Sequence, residues 1–182
     1  MTKVCDCFPE LAAVTAEREQ RYRQDPEAAR SELTVTVTSV GNLNELVECQ
    51  RSGHKFIISE PAHVGGQNIA PWPLEYLLGG AVGCFAAVFA FYAAKLGISY
   101  DRFQAAVKTT LDARGHMIPE APPSGFQGVA LEINVVSDEP QQRLDEVLQL
   151  ALKWCPGIST LRDPMPIAAS LRVESAAATG SR

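Results

Sequence analysis

The chain has 182 residues, 46% of them hydrophobic and 20% charged, and a formal net charge of −5. That length and composition fit one soluble domain with a real core, and the acidic balance argues against a partner that is nucleic acid or an anionic membrane. Five cysteines, an odd number without the spacing of a small disulfide scaffold, point to a reducing, cytoplasmic protein, and the N-terminus carries no apolar core followed by a cleavage site.

Residues 10–30, rich in Ala, Glu and Arg, predict a polar helix that Pro26 breaks or restarts. Leu33 to Val40 alternates Thr and Val, the pattern of a half-buried strand. Gly41-Asn42-Leu43-Asn44 is a hairpin-type turn. Leu46 to Arg51 and His54 to Ser59 follow as strands across Ser52-Gly53, completing a three-stranded antiparallel meander. Pro61 to Pro73 is a Gly/Pro loop. A long helix runs from Pro73 to Leu96, with Pro73 in its first turn and Gly97 as its cap. Phe103 to Ala113 and Val129 to Ser137 read as strands around the loop HMIPEAPPSG. Pro140 opens an amphipathic helix with Leu144, Val147, Leu148, Ala151 and Leu152 on one face, ending near Trp154. Pro166 to Val173 is expected as a last strand, and 175–182 as a flexible tail. Strand runs separated by helices argue for an α+β fold. The chain divides into an N-terminal helical extension (1–32), one domain (33–174) and the tail.

Between Leu77 and Ala94 there are eighteen uncharged residues, with Gly79 and Gly83 as a small-xxx-small pair. Such a segment is long enough to span a membrane. Its flanks lack a Lys/Arg cluster and nothing else in the chain is similar, so a central buried helix is the preferred reading. One sheet cannot cover a helix this apolar, which predicts an obligate homodimer that buries it.

Cys84 lies inside that helix, and Cys155 stands directly before Pro156, 71 residues later. Two readings follow from the residues alone. The thiols either fill space in a core, as free cysteines usually do, or form a nucleophile with a resolving partner. Phe85, Phe89, Tyr92 and Trp154 are expected as core packing and would line an apolar pocket beside such a site. Cys49 is expected in the core. The Cys5/Cys7 pair has no zinc-type partners, and neither a metal nor a cofactor is expected.

The segment GGQNIAPWPLEYLLGGAVGCFAAVFAFYAAKLGI resembles the first signature of the OsmC/Ohr superfamily, the osmotically induced and organic-hydroperoxide-resistance proteins. LQLALKWCPGISTLRDPMPI resembles the second. The resemblance spans roughly residues 33–174. It implies an α+β, OsmC-like intertwined homodimer, with antiparallel sheets around two central cysteine-bearing helices. It also implies a thiol-dependent peroxidase of organic hydroperoxides, with Cys84 as nucleophile, Cys155 as resolving thiol and an external dithiol as reductant. In the family's reductases an Arg activates the thiolate and a Glu holds the Arg. An unpaired thiolate is costly in apolar surroundings, so such a cation has a physical purpose. Arg51 is the first candidate here, with Arg102, Arg114, His54 and His63 behind it.

The sequence departs from that pattern at one point. Leu74 stands where the reductases usually carry Glu, and Glu75 is one position later. On a regular helix Glu75 faces about half a turn away from Cys84, whereas Leu74 is about 80° from it. Glu75 either acts across a dimer or complements the helix dipole in the first turn. The Pro-Leu-Glu pattern is similar to the broader OsmC-like branch. The alternative function is therefore a non-catalytic small-ligand-binding or redox-responsive protein.

Overall fold

The computed structural model describes residues 8–173; Cys5, Cys7 and the tail lie outside them. The first helix, α1, spans Phe8–Gln24. It stops ahead of Pro26, and a short 3₁₀ turn starts there, with the Asp25 carboxylate accepting the Glu27 N–H at 3.1 Å.

Three strands follow, β1 (Val35–Gly41), β2 (Asn44–Cys49) and β3 (Lys55–Ser59). They pair antiparallel in that order, with Val37 opposite Val47 and Val47 opposite Phe56. Asn42 (φ 54°) and Leu43 (φ 56°) both adopt left-handed backbone, which gives the two-residue β1–β2 turn a twist matching its strands. The expectation of a half-buried first strand fails: every residue of β1 is exposed, Val35, Val37 and Val40 included. Alternation predicts that one face of a strand is apolar, but a covering layer must still exist, and a single chain supplies none here.

The central helix, α2, spans Pro73–Lys95. Ile98 N–H bonds back to the Ala93 carbonyl at 2.9 Å and Gly97 takes φ 63°, so Gly97 ends the helix as expected. Then β4 (Arg102–Leu111) and β5 (Phe126–Val136) form a separate antiparallel pair with Phe103 opposite Val135 and Val107 opposite Leu131. The helix α3 (Gln141–Trp154) buries Val147 and Ala151 completely. A further helix, α4 (Pro156–Arg162), begins directly after Cys155, where the sequence analysis names no element.

The last expected strand, Pro166 to Val173, forms no sheet pairing; Ile167, Leu171 and Val173 are almost fully exposed. A strand exists only when a neighbour takes its backbone hydrogen bonds, and no edge within the described residues does so.

The core is built on α2. Phe85 and Phe89 are buried against Tyr100, Phe103, Ile98, Val147 and Ala151. The helices α1, α3 and α4 and the strand β4 pack around it, so the segment apolar enough to cross a membrane is the core helix of this fold. Lys95 ties the end of α2 to Glu19 of α1 at 2.7 Å. At the other end, the Tyr76 hydroxyl donates to the Ile57 carbonyl of β3 at 3.0 Å. Trp154 does not join the core. It is 57% exposed, with the Lys153 ammonium over its ring. Tyr92 is half-buried, as is Cys49.

Candidate active site

Cys84 sits at mid-length of α2, and Cys155 is the residue on which α3 ends and α4 begins. The two sulfurs are 3.6 Å apart, with Cys155 Sγ–H directed at Cys84 Sγ. A disulfide requires about 2.05 Å, so a closing movement of about 1.5 Å separates the dithiol from the bond. Cys155 is fully buried and Cys84 half-buried, so a reagent from solvent meets Cys84 first.

Local chain chemistry creates this arrangement. The Cys155 N–H still bonds to the Ala151 carbonyl at 3.0 Å, closing α3. Pro156 then starts α4 with its φ preset and no N–H to satisfy. Gly157 permits the close approach. A Cβ there would meet the Ala81 carbonyl at 3.0 Å and the Cys84 Cβ at 3.1 Å, so glycine lets the first turn of α4 rest on α2 without displacing either. Gly157 was not singled out in the sequence; the Cys-Pro-Gly run before an apolar ISTLR segment was the available signal.

Burial pushes the Cys155 thiol above its ordinary value. The backbone N–H groups of Ile158 and Gly157 pull it down, and the neighbouring Cys84 sulfur adds to the rise. The balance keeps Cys155 protonated at neutral pH. Among the described residues, no charged side chain hydrogen-bonds to either sulfur.

The other expected site residues are not gathered here. Glu75 accepts the Trp72 N–H at 2.9 Å, which closes the first turn of its own helix. Arg51 lies exposed in the β2–β3 turn, and His54 is exposed beside it. Arg114 is paired with Asp112 at 2.5 Å, Arg102 is exposed at the start of β4, and His63 meets the edge of Trp72 with ring centroids 6.4 Å apart. A cavity of about 550 Å³ opens between β5, α3 and α4, lined by Leu131, Leu152, Ile158, Leu161 and Arg162 among others; Leu152 and Ile158 each stand three residues from Cys155 in the chain.

Comparison with known proteins bears on this arrangement. The family model described as OsmC-like protein matches residues 65–170, a stretch that contains both cysteines. No curated protein matches the chain. Among solved structures, an OsmC-like protein from Mycoplasma pneumoniae is similar with a TM-score of 0.63 and 17% identity, over 73% of this chain and 89% of the other. An organic hydroperoxide resistance protein OsmC from Legionella pneumophila aligns with a TM-score of 0.57 and 23% identity, over 74% and 93%. An organic hydroperoxide resistance protein from Elizabethkingia anophelis gives 0.56 and 18%, over 74% and 91%. At these identities the structural likeness establishes the fold.

Proposed function

Because the chain belongs to the OsmC-like protein family, we propose that Cys84 and Cys155 are the working dithiol of a peroxidase that reduces organic hydroperoxides. One observation carries the reading: two thiols 71 residues apart in sequence meet at 3.6 Å, one half-open to solvent and one buried. Relatives named as organic hydroperoxide resistance proteins share the fold.

In this mechanism the Cys84 thiolate attacks the peroxide O–O bond. The S–O bond forms as the O–O bond breaks, and the alkoxide leaves as alcohol after taking a proton. Cys155 then attacks the sulfenic sulfur, releasing water and forming the Cys84–Cys155 disulfide. An external dithiol returns both sulfurs to thiols and is itself oxidised to a disulfide. The raised Cys155 thiol suits the resolving role, because it holds its proton until Cys84 has reacted. The apolar cavity between α3 and α4, lined by Leu152 and Ile158 on either side of Cys155 in the chain, favours an organic over an inorganic peroxide.

The working unit in this reading is a homodimer. Only 28% of the most apolar window of α2 is buried within the chain, and a Cβ added at Gly79, Gly80 or Gly83 would meet nothing within 4 Å. A second copy would cover this face, the bare β1 strand and the unpaired 166–173 segment. Arg51, exposed in its turn, is the candidate cation to act on Cys84 across such an interface, and Arg51→Ala would then slow turnover at pH 7 without dissolving the dimer. A second reading, ligand binding without turnover, is favoured by Leu74 in place of glutamate and by the lack, among the described residues, of a charged side chain hydrogen-bonded to either sulfur.

Peroxide consumption in the presence of a dithiol decides between them. Cumene hydroperoxide is expected to react faster than hydrogen peroxide, and both faster than with free cysteine. If neither outpaces free cysteine, the enzymatic reading is wrong and the non-catalytic one stands.

A further inference from the structure

A second pocket, of about 400 Å³, lies between α1 and the C-terminal end of α2, with Thr15, Arg18, Glu19 and Tyr22 on one side and Phe91 and Lys95 on the other. Its volume is that of a small-molecule site. Phe91 stands seven residues beyond Cys84, about 10 Å along the helix, and α1 lies outside the stretch matched by the family model. The pocket is therefore distinct from the dithiol.

Donors outnumber acceptors here. Three cations, Arg18, Arg23 and Lys95, line the pocket against one carboxylate, Glu19, a net charge of +2. Both Glu19 oxygens are already occupied, Oε1 by Arg23 Nη2 at 2.6 Å and Oε2 by Lys95 Nζ at 2.7 Å. Arg18 forms no ion pair among the described residues. Its Nε and Nη2 donate instead to the neutral Tyr22 hydroxyl oxygen at 3.4 and 3.1 Å, with the guanidinium over the Tyr22 ring. That oxygen accepts both bonds, so the Tyr22 hydroxyl proton is still available to donate. Thr15 is only 4% exposed, yet among the described residues its hydroxyl has no hydrogen-bond partner. A cationic pocket with donors to spare selects an anion. Tyr22, Phe91 and Tyr92 supply its apolar wall, the last two meeting edge to face at 5.2 Å.

We infer that this pocket binds an aromatic carboxylate, its charged group held by Arg18 and its ring against Phe91 and Tyr92. A carboxylate is planar and matches the guanidinium fork with two parallel bonds. Bonds to a charged oxygen are about twice as strong as bonds to a neutral one, so the ligand displaces Tyr22 from Arg18. The Tyr22 and Thr15 hydroxyls then donate to it as well. A ring gains more against aromatic walls than an alkyl chain of equal area does.

Isothermal titration of the full chain at pH 7 in about 0.15 M salt, where exposed surface charges are screened, tests the assignment with three probes. 4-Propylbenzoate is expected to bind with one site per chain. 4-Propylbenzamide, which keeps the ring and the planar head and loses the charge, is expected to bind about tenfold more weakly, equivalent to about 1.4 kcal/mol. Hexanoate, which keeps the charge and loses the ring, is also expected to bind more weakly. Arg18→Gln is expected to weaken the benzoate by about tenfold and leave the amide unchanged, and the Cys84→Ser/Cys155→Ser double variant retains benzoate binding. Circular dichroism melts confirm that each variant is folded. No heat up to millimolar benzoate, equal affinity for benzoate and amide, hexanoate binding as tightly as benzoate, no effect of Arg18→Gln, or loss of binding in the double cysteine variant would each overturn the assignment. The titration contains no peroxide and requires no turnover, so failure here and failure of the peroxidase reading are distinguishable.

Discussion

Replacing Gly157 by alanine perturbs the contact on which the cysteine pair depends. The new methyl group would stand 3.0 Å from the Ala81 carbonyl oxygen, 3.1 Å from the Ala81 Cα and 3.1 Å from the Cys84 Cβ. Relaxed carbon contacts lie at about 3.5–4.0 Å, so the first turn of α4 and α2 must separate by a few tenths of an ångström. Disulfide closure needs the opposite motion, about 1.5 Å inward from the 3.6 Å separation of the sulfurs. Overpacking of this kind costs about 1–3 kcal/mol, and the gain from a less flexible unfolded chain offsets about 0.4–1 kcal/mol of it. The expected result is a loss of about 1 kcal/mol in urea unfolding of the reduced protein, together with disulfide formation about tenfold slower, equivalent to about 1.4 kcal/mol of barrier. Diamide oxidation followed by mass spectrometry measures the crosslink without requiring peroxidase activity. If the variant is more stable than the parent and closes the Cys84–Cys155 bond at the parental rate, the contact does not position the pair and the reasoning is refuted.

Three further outcomes follow from the same geometry. Cys84→Ser is expected to abolish peroxide consumption, whereas Cys155→Ser permits one turnover and accumulates the sulfenic acid, both read by mass spectrometry after stoichiometric cumene hydroperoxide. Glu75→Ala removes the acceptor of the Trp72 N–H and is expected to cost about 1 kcal/mol in chemical denaturation; a larger effect on turnover than on stability would instead assign Glu75 to the site. Glu19 is held at about 2 by the hydrogen bond from Lys95, then by that from Arg23, against an ordinary value of 4.5. Its folded value is depressed, so its contribution is fully present above pH 4.5, is lost as the pH falls toward about 2, and is absent below that. Comparing thermal melts of the parent and Lys95→Ala across that window, at low and high salt, checks the tie between α1 and α2; parallel curves would sink it.

Much of the architecture was already legible in the chain. The meander, the Gly97 cap, the amphipathic face of α3 and the apolar character of α2 are written in residues within a turn or a strand of one another, where 2.0 and 3.6 periodicity and Gly/Pro chemistry act directly. The two cysteine signatures, each local, identified the family because each records a local backbone need: small residues around Cys84, and a helix stop and restart at Cys155-Pro156. The sequence also placed Glu75 facing away from Cys84, and its carboxylate is found capping its own helix.

Tertiary structure alone decided what depends on contacts distant in sequence. No periodicity says that α4 lies on Ala81 through Gly157, or that two sulfurs come to 3.6 Å. Trp154 and β1 read as partly buried because their residues are apolar, yet both are exposed, since burial is a property of what lies opposite and not of the side chain itself. The 166–173 segment has the composition of a strand and no pairing partner among the described residues. Composition sets which surfaces seek cover, and only the packing of the chain determines which of them obtain it.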